Sequence, residues 1–113
     1  MPNVSFEQYA QLVEDTRVYP ETYAVIYPSL GLANEAGEVL GKVKKALRDN
    51  NIDAPFTPQV ISDVADELGD VLWYITCLAR DLGVSLDEIV ERNYVKLTDR
   101  KARNVLKGSG DKR

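Results

Sequence analysis

Two acidic pairs, Glu35-Ala36-Gly37-Glu38 and Glu67-Leu68-Gly69-Asp70, carry the clearest chemical signal in this chain. Each pair has i, i+3 spacing, and residues three apart on a helix point the same way. Two such helices could converge four carboxylates. Converging carboxylates repel one another and lose hydration, and hard divalent cations such as Mg²⁺ or Mn²⁺, which prefer oxygen ligands, compensate for both. Ions held in this way commonly act on phosphates.

One such pair alone is also what a solvated helix face looks like. The second pair is harder to explain so. It lies in Asp63-Val64-Ala65-Asp66-Glu67-Leu68-Gly69-Asp70, and the segment from Ser62 to Thr76 has no basic residue. Like charges at that density destabilise a helix unless something neutralises them. Gly37 and Gly69 sit inside the pairs, at a cost of about 1 kcal/mol each in a helix interior. They suggest close approach of another helix or of a ligand.

The elements that must position these groups read as helices, with no convincing strand. The first runs from about Ser5 to Arg17, with Ser5 and Gln8 at capping-box spacing. Tyr19 to Pro28 is ambiguous between a helical turn and a loop. The second helix spans about Ser29 to Arg48, on an apolar stripe of Leu32, Ala36, Val39, Leu40, Val43 and Leu47. Ile52 to Pro58 is a loop. The third runs from Pro58 to Leu82, with Thr57 as N-cap and Gly83 as C-terminal stop. Its stripe is Ile61, Val64, Leu68, Val71, Leu72, Ile75, Leu78, Ala79 and Leu82. The fourth begins at Ser85, with Glu88 completing a second capping box, and extends to about Val105. The tail from Gly108 to Arg113 reads as frayed.

On a helical wheel Glu35, Glu38 and Lys42 share one flank of the second stripe. Asp63, Glu67, Asp70 and Tyr74 share the matching flank of the third. Antiparallel packing across a short loop would let the two flanks border one cleft. Asn93, Lys96 and Arg100 share a flank of the fourth helix, as surface charges and a core hydrogen bond or as contacts to phosphate and sugar. Lys42 is either an i, i+4 partner of Glu38 or a phosphate contact. Trp73 lies nearly opposite its own stripe, with Cys77 and Arg80 close by. That placement favours a subunit interface, with a stacking platform for a base as the second reading.

Composition narrows the chemistry further. The chain has 113 residues, 44% hydrophobic and 28% charged, with a formal net charge of −4, one cysteine and no histidine. The length fits a single domain over residues 1–113, small enough for self-association to add stability. The lack of histidine excludes Ser-His-Asp and Cys-His triads and His-ligated zinc. Acid–base work falls to carboxylates, Lys, Tyr or water on a metal. Lone Cys77 excludes an intramolecular disulfide framework and reads as a buried apolar residue. The acidic balance argues against a nucleic-acid polymer as partner. No span-length apolar run and no signal-peptide pattern are present, so a cytoplasmic protein that does not engage membranes is expected.

Gly31-Leu32-Ala33-Asn34-Glu35-Ala36-Gly37-Glu38-Val39, followed by Asp66-Glu67-Leu68-Gly69-Asp70-Val71-Leu72-Trp73-Tyr74, resembles the MazG-like nucleotide pyrophosphohydrolases. Their pattern is ExxE, a spacer, then ExxD. Asn93-Tyr94-Val95-Lys96 is similar to their Asn-x-x-Lys element. The resemblance implies an all-α, four-helix bundle-like protomer assembling as a dimer or tetramer. It implies hydrolysis of a nucleoside triphosphate, with a lean towards a dNTP, to monophosphate and pyrophosphate. Glu35, Glu38, Glu67 and Asp70 would be ligands for two or three Mg²⁺ or Mn²⁺ ions, and Glu35 or Glu38 would act on the attacking water. Lys42, Asn93, Lys96 and Arg100 would contact substrate, and Trp73, Tyr23 or Tyr27 could stack on its base. Two alternatives stand beside this: a non-catalytic helical scaffold with an acidic face, and a phosphohydrolase acting on diphosphates or modified nucleotides.

Overall fold

Local capping sets where each helix begins. In the computed structural model, which describes residues 3–113, α1 spans Phe6–Thr16. The Ser5 hydroxyl accepts from the Gln8 N–H at 3.1 Å, and the Gln8 side-chain oxygen accepts from the Ser5 N–H at 2.9 Å. This is the reciprocal capping box expected from the sequence. A 3-10 turn, Glu21–Tyr23, then leads into α2, Ile26–Asp49. The second helix starts three residues before the expected Ser29. Pro28 is no obstacle there, because first-turn N–H groups have no intrahelical acceptor.

Helix α3, Pro58–Leu82, keeps its expected bounds. Thr57 accepts from the Val60 N–H, and Gly83 closes the helix in the left-handed region at φ +77°. Helix α4 is Leu86–Ala102, capped by the Ser85 hydroxyl on the Glu88 N–H. The expected second capping box is half formed, since the structure contains no return bond from Glu88 to Ser85. Among the described residues there is no strand, so the chain is all-α as expected.

Helices α2 and α3 form an antiparallel hairpin, by far the largest helix–helix contact. Its register is legible from paired positions: Val25 meets Asp81, Gly31 meets Tyr74, and Glu35 meets Asp70. Each step up α2 is matched by a step down α3.

The core lies on the other side of α3 from its long apolar stripe. Val13 and Tyr19 pack on Cys77, which is fully buried, and Tyr9 and Trp73 close over them. Trp73 donates its indole N–H to Thr16 Oγ1 at 3.0 Å. The partner for the second face of α3 is therefore α1 of the same chain. The sequence reading expected a subunit interface at Trp73; within the protomer its face meets α1. A 25-residue helix offers two long faces, and the short α1 covers the aromatic one.

The stripes of α2 and α3 are half-buried against each other but leave several large apolar residues open. Leu40 is 69% exposed, Leu47 54%, Ile61 60% and Leu68 53%. Helix α4 packs mainly against α1 and leaves Val90, Tyr94 and Leu97 exposed. The radius of gyration is 17.2 Å, where a compact chain of this length would have about 13 Å. The protomer is thus an extended four-helix arrangement built on the α2–α3 hairpin, with α4 packed mainly against α1. The tail is not frayed either: Arg113 donates to the carbonyls of Val105, Leu106 and Gly110 and draws the chain back along α4. No described helix is long and apolar enough to cross a membrane.

Candidate metal centre

The antiparallel register brings three of the four carboxylates together. One oxygen each from Glu35, Glu67 and Asp70 lies within 4.8 Å of the others. Glu35 and Glu67 are half-buried and Asp70 is exposed. Glu38, one turn further along α2, is exposed and stands outside this close group. It still acts on it. Burial pushes the Glu35 carboxyl above its ordinary range, and the charges of Asp70, Glu67 and Glu38 push it further.

The remaining charges of the molecule do not compensate this cluster. Among the described residues, the ion pairs join Arg17 and Arg80 to Glu14, Glu21 and Asp81, and Arg48 to Asp49. Others join Arg92 to Glu88, Lys96 and Arg100 to Asp111, and Arg103 to Asp99. None reaches Glu35, Glu38, Glu67 or Asp70. Lys42 makes no ion pair with Glu38; it lines a small cleft with Lys45, Asp49, Val60 and Asp63. A set of oxygen-only donors, partly buried and without a cation from the chain, fits a hard divalent ion.

Helix crossing places this group, and Gly31 makes the crossing possible. A Cβ at Gly31 would overlap the Tyr74 ring. By contrast, Gly37 and Gly69 face open space within the protomer, so the close approach expected there does not come from a neighbouring helix of the chain. Tyr74 borders Glu35, and its hydroxyl is held above its ordinary pKa by burial first, then by Tyr27 and the Glu35 charge. We expect Gly31→Ala to force Tyr74 and α2 apart, costing about 1–3 kcal/mol. Thermal unfolding followed by circular dichroism checks this. An unchanged Tm would mean that the ring moves aside freely.

The aromatic residues are already engaged. Tyr27 stacks on Tyr19 with ring centroids 4.8 Å apart, and Trp73 meets Tyr74 edge-on at 5.0 Å. Trp73 donates to Thr16 and packs, partly buried, against the core. Tyr23 is 54% exposed and free to stack.

Asn93, Lys96 and Arg100 do not join the carboxylates in the protomer. Asn93 and Lys96 line a groove with Ile89, Arg92 and Asp111. Arg100 is buried and donates to the backbone carbonyls of Gly110 and Asp111. Their flank faces the tail, because α4 leaves the hairpin.

Sequence reasoning missed Asp81. Its side chain is fully buried and accepts from the Tyr19 hydroxyl at 2.7 Å and the Val25 N–H at 2.9 Å. A signal existed: an acid in the last turn of a helix opposes the macrodipole and so needs another purpose.

The family model of the MazG nucleotide pyrophosphohydrolase domain matches residues 28–105, the span from the first turn of α2 past the end of α4. The chain belongs to the MazG nucleotide pyrophosphohydrolase family. It is also 42% identical over 111 residues to the Gene 37 protein of Mycobacterium phage L5, covering 93% of this chain and 96% of that one. No solved structure matches. The MazG domain takes in both acidic pairs, α3 and α4, while α1 and the tail lie outside it.

Proposed function

We propose that this chain is a single-domain, metal-dependent pyrophosphohydrolase. It hydrolyses a nucleoside triphosphate, by preference a deoxyribonucleotide, at the α–β phosphoanhydride, releasing the monophosphate and pyrophosphate. The observation that carries this reading is the convergence of Glu35, Glu67 and Asp70 without a neutralising cation from the chain. Membership of the MazG family supplies the reaction class.

Glu35, Glu67 and Asp70 would hold Mg²⁺ or Mn²⁺, with Glu38 completing the set. Such ions screen the triphosphate charge and make the α-phosphorus more electrophilic. Glu35 or Glu38 would orient or deprotonate the attacking water. Asn93, Lys96 and Arg100 would bind the phosphates and absorb the charge that develops on the leaving pyrophosphate. Lys42, half-buried beyond Glu38 on α2, would add a cation at the edge of the acidic group.

In the protomer the cations of α4 stand apart from the acids of the hairpin, and both present exposed apolar residues beside them. A homodimer or tetramer would cover Leu40, Leu47, Ile61 and Leu68 and bring a second copy to the open glycines Gly37 and Gly69. The chain would act in the cytoplasm, without a membrane or a nucleic-acid polymer as partner.

Turnover of a panel of NTPs and dNTPs with Mg²⁺ or Mn²⁺, with products resolved, tests the proposal. Monophosphate plus pyrophosphate, lost on adding EDTA, is the expected result. Diphosphate plus phosphate would keep the site and change the reaction. Turnover that survives EDTA would overturn the metal-dependent reading.

A further inference from the structure

The tail makes an unusual use of two cations. Residues 108–113 lie beyond the family match, yet they fold back onto the flank of α4 that carries Lys96 and Arg100. The Asp111 carboxylate sits 3.3 Å from Lys96 Nζ and 3.6 Å from Arg100 Nη2. Arg100 also donates to the Asp111 and Gly110 carbonyls at 2.8 and 3.4 Å. Its side chain is only 6% exposed, and its Nε is buried with no partner. A buried guanidinium with a donor left over is an incompletely filled anion position.

We propose that the tail is a built-in cover for this anion position. Asp111 occupies the place of a substrate phosphate on Lys96 and Arg100 and must swing away for the nucleotide to bind. The inference rests on the reading of Lys96 and Arg100 as phosphate contacts.

The geometry suits a cover that can leave. The Asp111 side chain is 83% exposed, and ion pairs in that setting are weak. Its competitor, a polyphosphate, carries several negative charges. The anchor, Arg113 on the Val105 and Leu106 carbonyls, holds the tail nearby after Asp111 has let go. Asp111 is ionised at neutral pH, because Lys96 and then Arg100 hold its carboxyl below the ordinary range.

The test uses the full chain and two readouts. Binding of inorganic pyrophosphate is measured by calorimetry without metal, and KM and kcat are measured with a nucleoside triphosphate and Mn²⁺. Asp111→Asn should tighten pyrophosphate binding and lower KM by about two- to fivefold, with kcat unchanged. Lys96→Ala should weaken both, and in the double variant the gain from Asp111→Asn should shrink. If Lys96→Ala raises KM while Asp111→Asn changes neither readout, the tail is a helix cap and no cover. If neither substitution changes binding or KM, the assignment of Lys96 to phosphate fails and the cover fails with it.

Discussion

Asp70→Asn should abolish turnover and raise the melting temperature of the metal-free protein. Both effects follow from one fact: Glu35, Glu67 and Asp70 converge within 4.8 Å with no cation from the chain. In metal-free protein the three charges repel, and each like-charge contact of this kind costs about 0.2–0.5 kcal/mol. Removing one charge relieves two contacts, so Tm should rise by on the order of 2–6 °C. The same change removes a carboxylate that the proposed function assigns to the metal ions. Loss of a residue that merely supports a ligand already costs about 10–100-fold, so loss of a ligand should cost more than about 100-fold in kcat/KM. Glu67→Gln should behave alike. The pairing of the two outcomes is the diagnostic. Mn²⁺ should raise Tm in the wild type, since an ion that binds only the folded state stabilises it, and should do so far less in either variant. A variant that loses activity and stability together would mark these acids as structural.

Glu38 should respond less in the metal-free protein. It is exposed and outside the close group, so Glu38→Gln should leave Tm nearly unchanged while still lowering activity. The sequence could not separate it from Glu35, because both sit on one flank of α2 at helical spacing. The difference arises from where α3 crosses. Helical spacing fixes which residues share a face but not the height at which two helices meet.

That distinction explains most of what was legible and what was not. Helix bounds could be read where a cap was encoded: Ser5 with Gln8, Thr57-Pro58, Gly83, and Ser85. The start of α2 could not, because no side chain caps it. Val25 precedes it at φ +69°, and its N–H is satisfied by Asp81, 56 positions away. The acidic pairs, the hairpin and the shared cleft followed from periodicity. The identity of the protomer core did not. Two apolar faces on α3 compete for cover, and the choice of the Trp73–Cys77 face depends on α1 reaching it. The long stripes of α2 and α3 carry the stronger pattern, yet Leu40, Leu47, Ile61 and Leu68 on them remain exposed. Hydrophobic period identifies a surface to be buried, not the copy of the chain that buries it.

Asp81→Ala should be among the most destabilising single substitutions in the chain, costing about 2–4 kcal/mol and lowering Tm by on the order of 10 °C or more. The carboxylate accepts from the Tyr19 hydroxyl and the Val25 N–H and pairs with Arg80 at 3.1 Å. Its removal strands two part-buried donors. It also frees Val25, a β-branched residue in the left-handed region, where the backbone costs about 1–3 kcal/mol unless held. Tyr19 belongs to the core and Val25 opens α2, so this carboxylate joins the core to the helix that carries Glu35. Burial alone would raise its pKa, but the Val25 N–H, the Tyr19 hydroxyl and Arg80 outweigh burial and hold it below the ordinary value. A carboxyl with a depressed folded-state pKa stabilises the fold above its unfolded value of about 3.9, and that contribution is lost as pH falls through the folded value. Wild-type stability should therefore drop steeply below about pH 4, and the Asp81→Ala variant should lose less over the same interval. Urea unfolding at neutral pH and at pH 3, followed by the fluorescence of Trp73, measures both effects, since Trp73 reports the docking of α1. Equal acid sensitivity in the two proteins would assign the acid loss to other carboxylates, chiefly Glu14, whose carboxyl Arg17 and Arg80 also hold low.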